Sequence, residues 1–296
     1  MPRFALAVAT LVLFVTQACA GTISYTDLLV RPRPQPTKVA RYGPAKEETG
    51  ELFLPAGKGP HPVVVLIHGG CWLAELPGTE LMDYIAADLQ ARGYAVWNIE
   101  YRRIGGAGGG YPGTFLDIAD GIDVLRKLAP ANALDLDHIV VVGHSAGGHL
   151  ALWAAARAHL SKTSALYRDN PLPVAGVVSL GGIADLEAYR ADGPSACGGP
   201  STIDALTGPT SATHADVYAD TSPARLLPLG TRYTIVSGDL DPIVPRRFGE
   251  AFAAKARAAH DAPHEIEIAG AGHFELIDPQ SDAWKQIVAE IGTLAH

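Results

Sequence analysis

Apolar residues in this chain fall into short runs, separated by longer stretches in which apolar positions recur every three or four residues. The unbroken runs are Val63-Val64-Val65-Leu66-Ile67 and Val140-Val141-Val142, and residues 95–101, 174–180 and Arg232-Tyr233-Thr234-Ile235-Val236 are mostly apolar runs broken by single polar residues or glycine. Each is short and rich in β-branched or aromatic residues, which predicts strands buried on both faces. Glu265-Ile266-Glu267-Ile268 alternates and predicts one more strand. Between the runs, helical spacing predicts helices near 80–92, with Gly93 at the C-cap position, about 114–128, after residue 145, near 246–260 and over 282–294. Strand and helix therefore alternate, the pattern of an α/β fold with a mostly parallel central sheet and helices on both faces. No internal repeat interrupts it.

The first fifty residues do not follow this pattern. Arg3 precedes an apolar run over residues 4–15, and Ala18-Cys19-Ala20 offers small residues for cleavage before Gly21. The run is short for a membrane span, so residues 1–20 read as a signal peptide and the protein as exported, periplasmic or secreted, with no stable membrane span in the mature form. Lipid attachment at Cys19 is the alternative, although Val15-Thr16-Gln17-Ala18 is a poor site for it. Residues 21–50 contain Arg31-Pro32-Arg33-Pro34-Gln35-Pro36, which cannot form a helix and predicts an extended lead-in to a single domain over 51–296. With 23 Lys and Arg against 31 Asp and Glu, the formal charge of −8 argues against a nucleic-acid partner. Nothing in the sequence sets the oligomeric state.

Chemistry concentrates after Val140-Val141-Val142. Gly143-His144-Ser145-Ala146-Gly147 joins a strand to a helix, and the two glycines permit a sharp turn that lifts the Ser145 hydroxyl off the sheet. A serine becomes a nucleophile only when a histidine takes its proton and a carboxylate orients that histidine. Both follow in order. Gly238-Asp239-Leu240-Asp241 closes one predicted strand, and Gly272-His273 follows another. His144 and His149 lack the partner spacing of a metal-binding helix, so neither a metal nor a cofactor is expected. His144 either packs or lines the pocket, and His149 reads as a core histidine.

His68-Gly69-Gly70-Cys71-Trp72, directly after the first run, adds to this, as do Asn98-Ile99-Glu100-Tyr101-Arg102 and the Gly-x-x-Asp-x-x-Val-Pro pattern from Gly238 to Pro245. Over roughly residues 50–295 the chain resembles the α/β-hydrolase superfamily, esterase branch with a His-Gly-Gly-x-Trp motif, which includes kynurenine formamidases and feruloyl-esterase-like hydrolases. The resemblance implies an α/β-hydrolase fold with a catalytic triad of Ser145, Asp241 (rather than Asp239) and His273. It also implies an oxyanion hole built from the N–H groups of Gly70, Cys71 and Ala146. His68 would order that loop, and Trp72 either lines the pocket or packs beneath it. The polar stretch 182–222, with Tyr189, Cys197 and Tyr218, would form a small cap over the site, plain surface decoration being the alternative. The glycine-rich stretch 105–113 would be a flexible loop beside the site rather than a phosphate cradle.

The mature chain would retain only Cys71 and Cys197, so in an oxidising compartment a disulfide would tie the cap to the oxyanion loop, two free thiols being the alternative. The expected reaction is hydrolysis of a small-molecule ester, or amide, through an acyl-enzyme. Arylformamidase and feruloyl-type esterase are the nearer alternatives. A prolyl-oligopeptidase-like peptidase, for which the upstream stretch leaves no propeller, and a non-catalytic binding protein are the more distant ones.

Overall fold

The computed structural model describes residues 22–295, so the expected signal peptide and Cys19 lie outside the described residues. Strands β1 (Lys38–Arg41), β2 (Thr49–Phe53), β3 (His61–Ile67), β4 (Ala95–Ile99), β5 (Leu134–His144), β6 (Gly176–Leu180), β7 (Arg232–Gly238) and β8 (His264–Ile268) form one sheet. Their order is β1-β2-β4-β3-β5-β6-β7-β8. β1 and β2 pair antiparallel at one edge, and β2 is antiparallel to β4. From β4 to β8 every pairing is parallel. The helices are α1 (Tyr25–Leu29), α2 (Asp83–Ala91), α3 (Gly113–Asp123), α4 (Leu125–Asn132), α5 (Ala146–Ala156), α6 (Leu186–Asp192), α7 (Pro200–Thr207), α8 (Arg247–Ala258) and α9 (Asp282–Ala295). This is the α/β-hydrolase fold.

The unbroken apolar runs are explained by the pleat. Val63, Val65 and Ile67 of β3 join one core with Phe115, Trp153 and Phe252. Val64 and Leu66 point the other way, into a second core with Leu89, Trp284 and Ile287. Successive side chains alternate across a strand, so a sheet covered on both faces needs apolar residues at every position. Each such side chain stabilises the fold by roughly 1.5–3 kcal/mol on burial.

The structure departs from the expectations in three places. The stretch 22–50 is extended only in part. Ser24 and Asp27 form a capping box that starts α1, and residues 38–41 and 49–53 pair as strands. The stretch 114–128 divides at Val124, where Lys127 N–H reaches back only three residues to Val124 O, at 2.8 Å. Within the glycine-rich stretch 105–113, Gly109, Gly110 and Gly113 are closely packed. A Cβ on Gly109 would stand 1.8 Å from Arg103 O, and one on Gly110 would stand 2.6 Å from Ala205 O in α7. Those glycines answer to backbone lying against backbone, and they do not line the cavity at Ser145.

Candidate active site

The carboxyl ends of β3, β5, β7 and β8 converge, as they must in an open parallel sheet, and place residues 68–72, Ser145, Asp241 and His273 at one rim. Ser145 sits between β5 and α5 with φ 56 and ψ −119. An L-residue held there costs of order 1–3 kcal/mol. The surroundings enforce it. Ser145 N–H donates to Leu180 O at 2.8 Å. A Cβ on Gly143 would stand 2.0 Å from Gly147 O, and one on Gly147 would stand 2.0 Å from Ile67 O. Both glycines are therefore required by the turn.

His273 Nδ1 lies 2.6 Å from Asp241 Oδ2, and both side chains are buried. The other carboxylate oxygen, Oδ1, accepts from the N–H groups of Ile243 (2.8 Å) and Val244 (2.9 Å). The carboxylate is thus fixed from two sides before it meets the imidazole. Gly181 passes directly beneath the pair, where a Cβ would approach Asp241 Oδ2 and His273 Nδ1 to 3.1 Å. Asp239 turns away, accepting from Gly270 N–H at 2.7 Å.

The loop after β3 runs through three consecutive left-handed residues, Gly70 (φ 94), Cys71 (φ 50) and Trp72 (φ 58). Among the described residues no protein acceptor takes the N–H of Gly70, Cys71 or Ala146. A dense polar framework holds the loop. His68 stacks on Tyr101 with ring centroids 4.3 Å apart. Its Nδ1 lies 2.8 Å from Gly69 O and its Nε2 lies 3.1 Å from Glu100 Oε1. Arg103 donates to Leu76 O at 2.6 Å and Leu73 O at 3.2 Å. Burial would raise the Glu100 carboxyl, but His68, Arg103 and the Tyr101 N–H together hold it down to about 2. A disulfide joins Cys71 to Cys197, with Cα atoms 5.2 Å apart, and so ties this loop to the turn between α6 and α7.

Ser145 and His273 open into a cavity of about 280 Å3. Tyr25, Leu76, Leu81, Ala196, Ile243 and Phe274 supply its apolar lining, together with His144. His144 Nε2 lies 3.1 Å from His273 O, and the two rings are 4.4 Å apart. Burial, together with the His273 and His68 rings, holds His144 well below the usual imidazole range, so it stays neutral beside His273. Trp72 does not line the cavity. It is fully buried and meets His149 edge-on at 5.4 Å, because the left-handed loop turns its side chain under the sheet's rim. His149 is a core residue bonded to Thr221 O at 2.8 Å. Tyr189 and Tyr218 are also absent from the lining, and the Tyr189 hydroxyl instead donates to Ile243 O from behind, at 2.9 Å. From the stretch 182–222, Ala196 reaches the cavity.

Residues 51–256 match the BD-FAE family. The chain belongs to the BD-FAE family. A curated relative of this BD-FAE chain is esterase LipC of Mycobacterium tuberculosis (strain ATCC 25618 / H37Rv), 27% identical over 231 residues. That alignment covers 74% of this chain and 54% of LipC, so the chain spans about half the length of the relative it matches. Among solved structures, esterase B from Lactobacillus rhamnosis superimposes with a TM-score of 0.75 at 19% identity, covering 92% of this chain and 90% of that one. A thermophilic esterase from Thermogutta terrifontis does so with a TM-score of 0.66 at 18% identity, covering 86% and 90%. These likenesses establish the shared fold.

Several residues of the BD-FAE chain's site escaped the sequence reading. Tyr25 and Phe274 form the aromatic part of the lining, and Glu100 and Arg103 brace the glycine loop. Phe274 is adjacent to His273 and could have been found by proximity. Tyr25 carries no local signal, because only the return of the N-terminal segment across the sheet brings it to the site. Among the described residues no group of three or more His, Cys, Asp or Glu is arranged to hold a metal, and no helix is long and apolar enough to cross a membrane.

Proposed function

We propose that this chain is a serine hydrolase that cleaves carboxylic esters through an acyl-enzyme. The observation that carries the reading is the 2.6 Å contact between Asp241 and His273 beside a serine held in a strained strand-to-helix turn. Ser145 Oγ attacks the ester carbonyl carbon while His273 Nε2 takes the hydroxyl proton. Asp241 accepts from Nδ1–H and so fixes the tautomer that leaves Nε2 free. The N–H groups of Gly70, Cys71 and Ala146 receive the oxyanion, each donor being worth roughly 3–4 kcal/mol in the transition state. Collapse breaks the bond to the alcohol oxygen, which leaves with the proton from His273. Water, deprotonated by His273, then attacks the acyl carbon and releases the acid and the serine.

The cavity favours uncharged esters over an amino-acid formamide. Among the described residues that line it there is no Lys, Arg, Asp or Glu, so a substrate carrying both an ammonium and a carboxylate would lose water without gaining a counter-charge. The disulfide supports the inference that the protein is exported, since such bonds persist in oxidising compartments.

The test is hydrolysis of p-nitrophenyl esters, with N-formylkynurenine and a feruloyl ester alongside and Ser145→Ala as control. Ester turnover that vanishes in Ser145→Ala, with circular dichroism unchanged, supports the proposal. Turnover that persists without the hydroxyl overturns it, and preference for the formamide would move the chain to the arylformamidase reading.

A further inference from the structure

The aromatic side of the cavity comes from outside the family-matched region 51–256. Ser24 and Tyr25 precede it and Phe274 follows it, yet all three line the cavity with Ser145. The Tyr25 ring meets Phe274 edge-on, with centroids 5.9 Å apart. Tyr25 is about one-third exposed, so it stands at the mouth of the cavity rather than in the core.

Three further contacts tie residues 22–31 to the turn that carries His273. A Cβ on Gly272 would stand 2.7 Å from Thr22 Cβ, so Thr22 lies directly on the glycine preceding that histidine. Ile23 N–H donates to Glu275 Oε1 at 2.6 Å. Arg31 grips Asp278 with two hydrogen bonds, at 2.6 and 2.9 Å. Between these points Leu28 is fully buried in one core with Leu276 and Ile277. A five-residue helix would be marginal alone, and these anchors fix it in place.

On the esterase reading above, we propose that α1 is a specificity wall, in which Tyr25, backed by Phe274, holds the apolar arm of the substrate. Leu76, Leu81 and Ile243 add aliphatic wall and no charged side chain lines the cavity among the described residues, so the arm selected is an uncharged hydrocarbon or ring longer than acetyl. An acetyl group is accommodated next to Ser145 and does not reach the mouth. Tyr25 thus acts on binding of the long arm and leaves the bond-breaking groups untouched.

The experiment compares wild type, Tyr25→Ala and Tyr25→Phe on ethyl acetate, ethyl hexanoate and hexyl acetate, with acid release followed by pH-stat titration. Tyr25→Ala is expected to lower kcat/KM about tenfold on whichever of the two six-carbon esters wild type prefers, through KM, as one ring face is lost to water. Ethyl acetate turnover stays within about twofold, and Tyr25→Phe behaves as wild type, since the ring rather than the hydroxyl makes the contact. Equal losses on the short and long esters, or no loss on either, would overturn the wall. Calorimetric binding of ethyl hexanoate and of hexyl acetate to Ser145→Ala, with and without Tyr25→Ala, separates this proposal from the esterase reading. If wild type cleaves no ester yet Tyr25→Ala still weakens binding of either six-carbon ester about tenfold, the wall stands while the reaction assignment falls. Affinities unchanged for both would sink the wall.

Discussion

Replacing Cys197 by alanine removes the cross-link and leaves the Cys71 N–H in place, so it separates stability from chemistry. The two cysteines are 126 residues apart, and in the chain-entropy account a loop of that length restrains the unfolded chain by about 5 kcal/mol. Loss of the small buried sulfur adds on the order of 1 kcal/mol. About 275 residues unfold, at roughly 2 cal/mol/K each, so 5 kcal/mol corresponds to a fall in Tm of about 9 °C and the further 1 kcal/mol to about 2 °C. Reductant alone is a poor substitute, because Cys197 is 1% exposed and Cys71 7%. Activity should respond much less. The glycine loop is also held by Leu73 N–H on Gly70 O (2.8 Å) and by the Arg103 fork, so kcat at 25 °C should stay within about threefold of wild type. Differential scanning calorimetry and steady-state kinetics on Cys197→Ala read both quantities. A Tm within about 3 °C of wild type would refute the loop-closure argument. A collapse of kcat at unchanged Tm would show that the disulfide, rather than the hydrogen-bonded framework, positions the loop.

Asp241→Asn should lower kcat by about four orders of magnitude with the far-ultraviolet spectrum unchanged, because the amide favours the wrong His273 tautomer; a loss below tenfold would remove Asp241 from the proposed role. His68→Ala should reduce kcat by about tenfold or more while Tm falls only modestly, since its ring braces the glycine loop from Gly69 and Glu100, and unchanged kinetics would assign the bracing to Arg103 alone. Burial holds His149 down to about 4, against about 6.5 in the unfolded chain, so between those values the unfolded state binds more protons. Stability is then full above about pH 6.5 and declines by about 3 kcal/mol toward pH 4, a decline that urea melts should find shallower in His149→Asn; equal slopes would count against it. Gly147→Ala forces a Cβ to 2.0 Å from Ile67 O and should cost about 3 kcal/mol or more in thermal unfolding. A variant melting with wild type would mean that the turn can shift.

Legibility from the sequence followed the range of each signal. β3, β5 and β7 were readable because a strand covered on both faces needs a continuous apolar run, and Gly143 and Gly147 were readable because the turn excludes a side chain at both. Asp241 could be chosen over Asp239 from the pattern ending in Pro245, and its carboxylate is the one that meets His273. Trp72 was ambiguous because the residue type suits both a pocket and a core, and the left-handed φ that settles its direction leaves no mark in the letters. Tyr25 could not be found at all. Its importance depends on contacts with residues near 275, a separation over which local patterning carries no information. The glycine-rich stretch misled for a related reason, since glycine can mean freedom or crowding and only the position of Arg103 O distinguishes them.

The grip of residues 22–31 on residues 272–278 also sets an order of events during synthesis. Ile23 meets a partner 252 positions downstream, and Arg31 meets one 247 positions downstream. Until the ribosome has delivered residues 272–278, the segment 22–31 lacks its anchors at Glu275 and Asp278 and the turn bearing His273 does not exist. If the proposed mechanism holds, a nascent chain halted after β7 would carry its serine on a formed turn and yet be chemically silent. Contacts of such sequence separation are slow to form because the intervening loop must close first. On the proposed mechanism, competence would therefore arrive in one late step, once residues 272–278 have been made and docked.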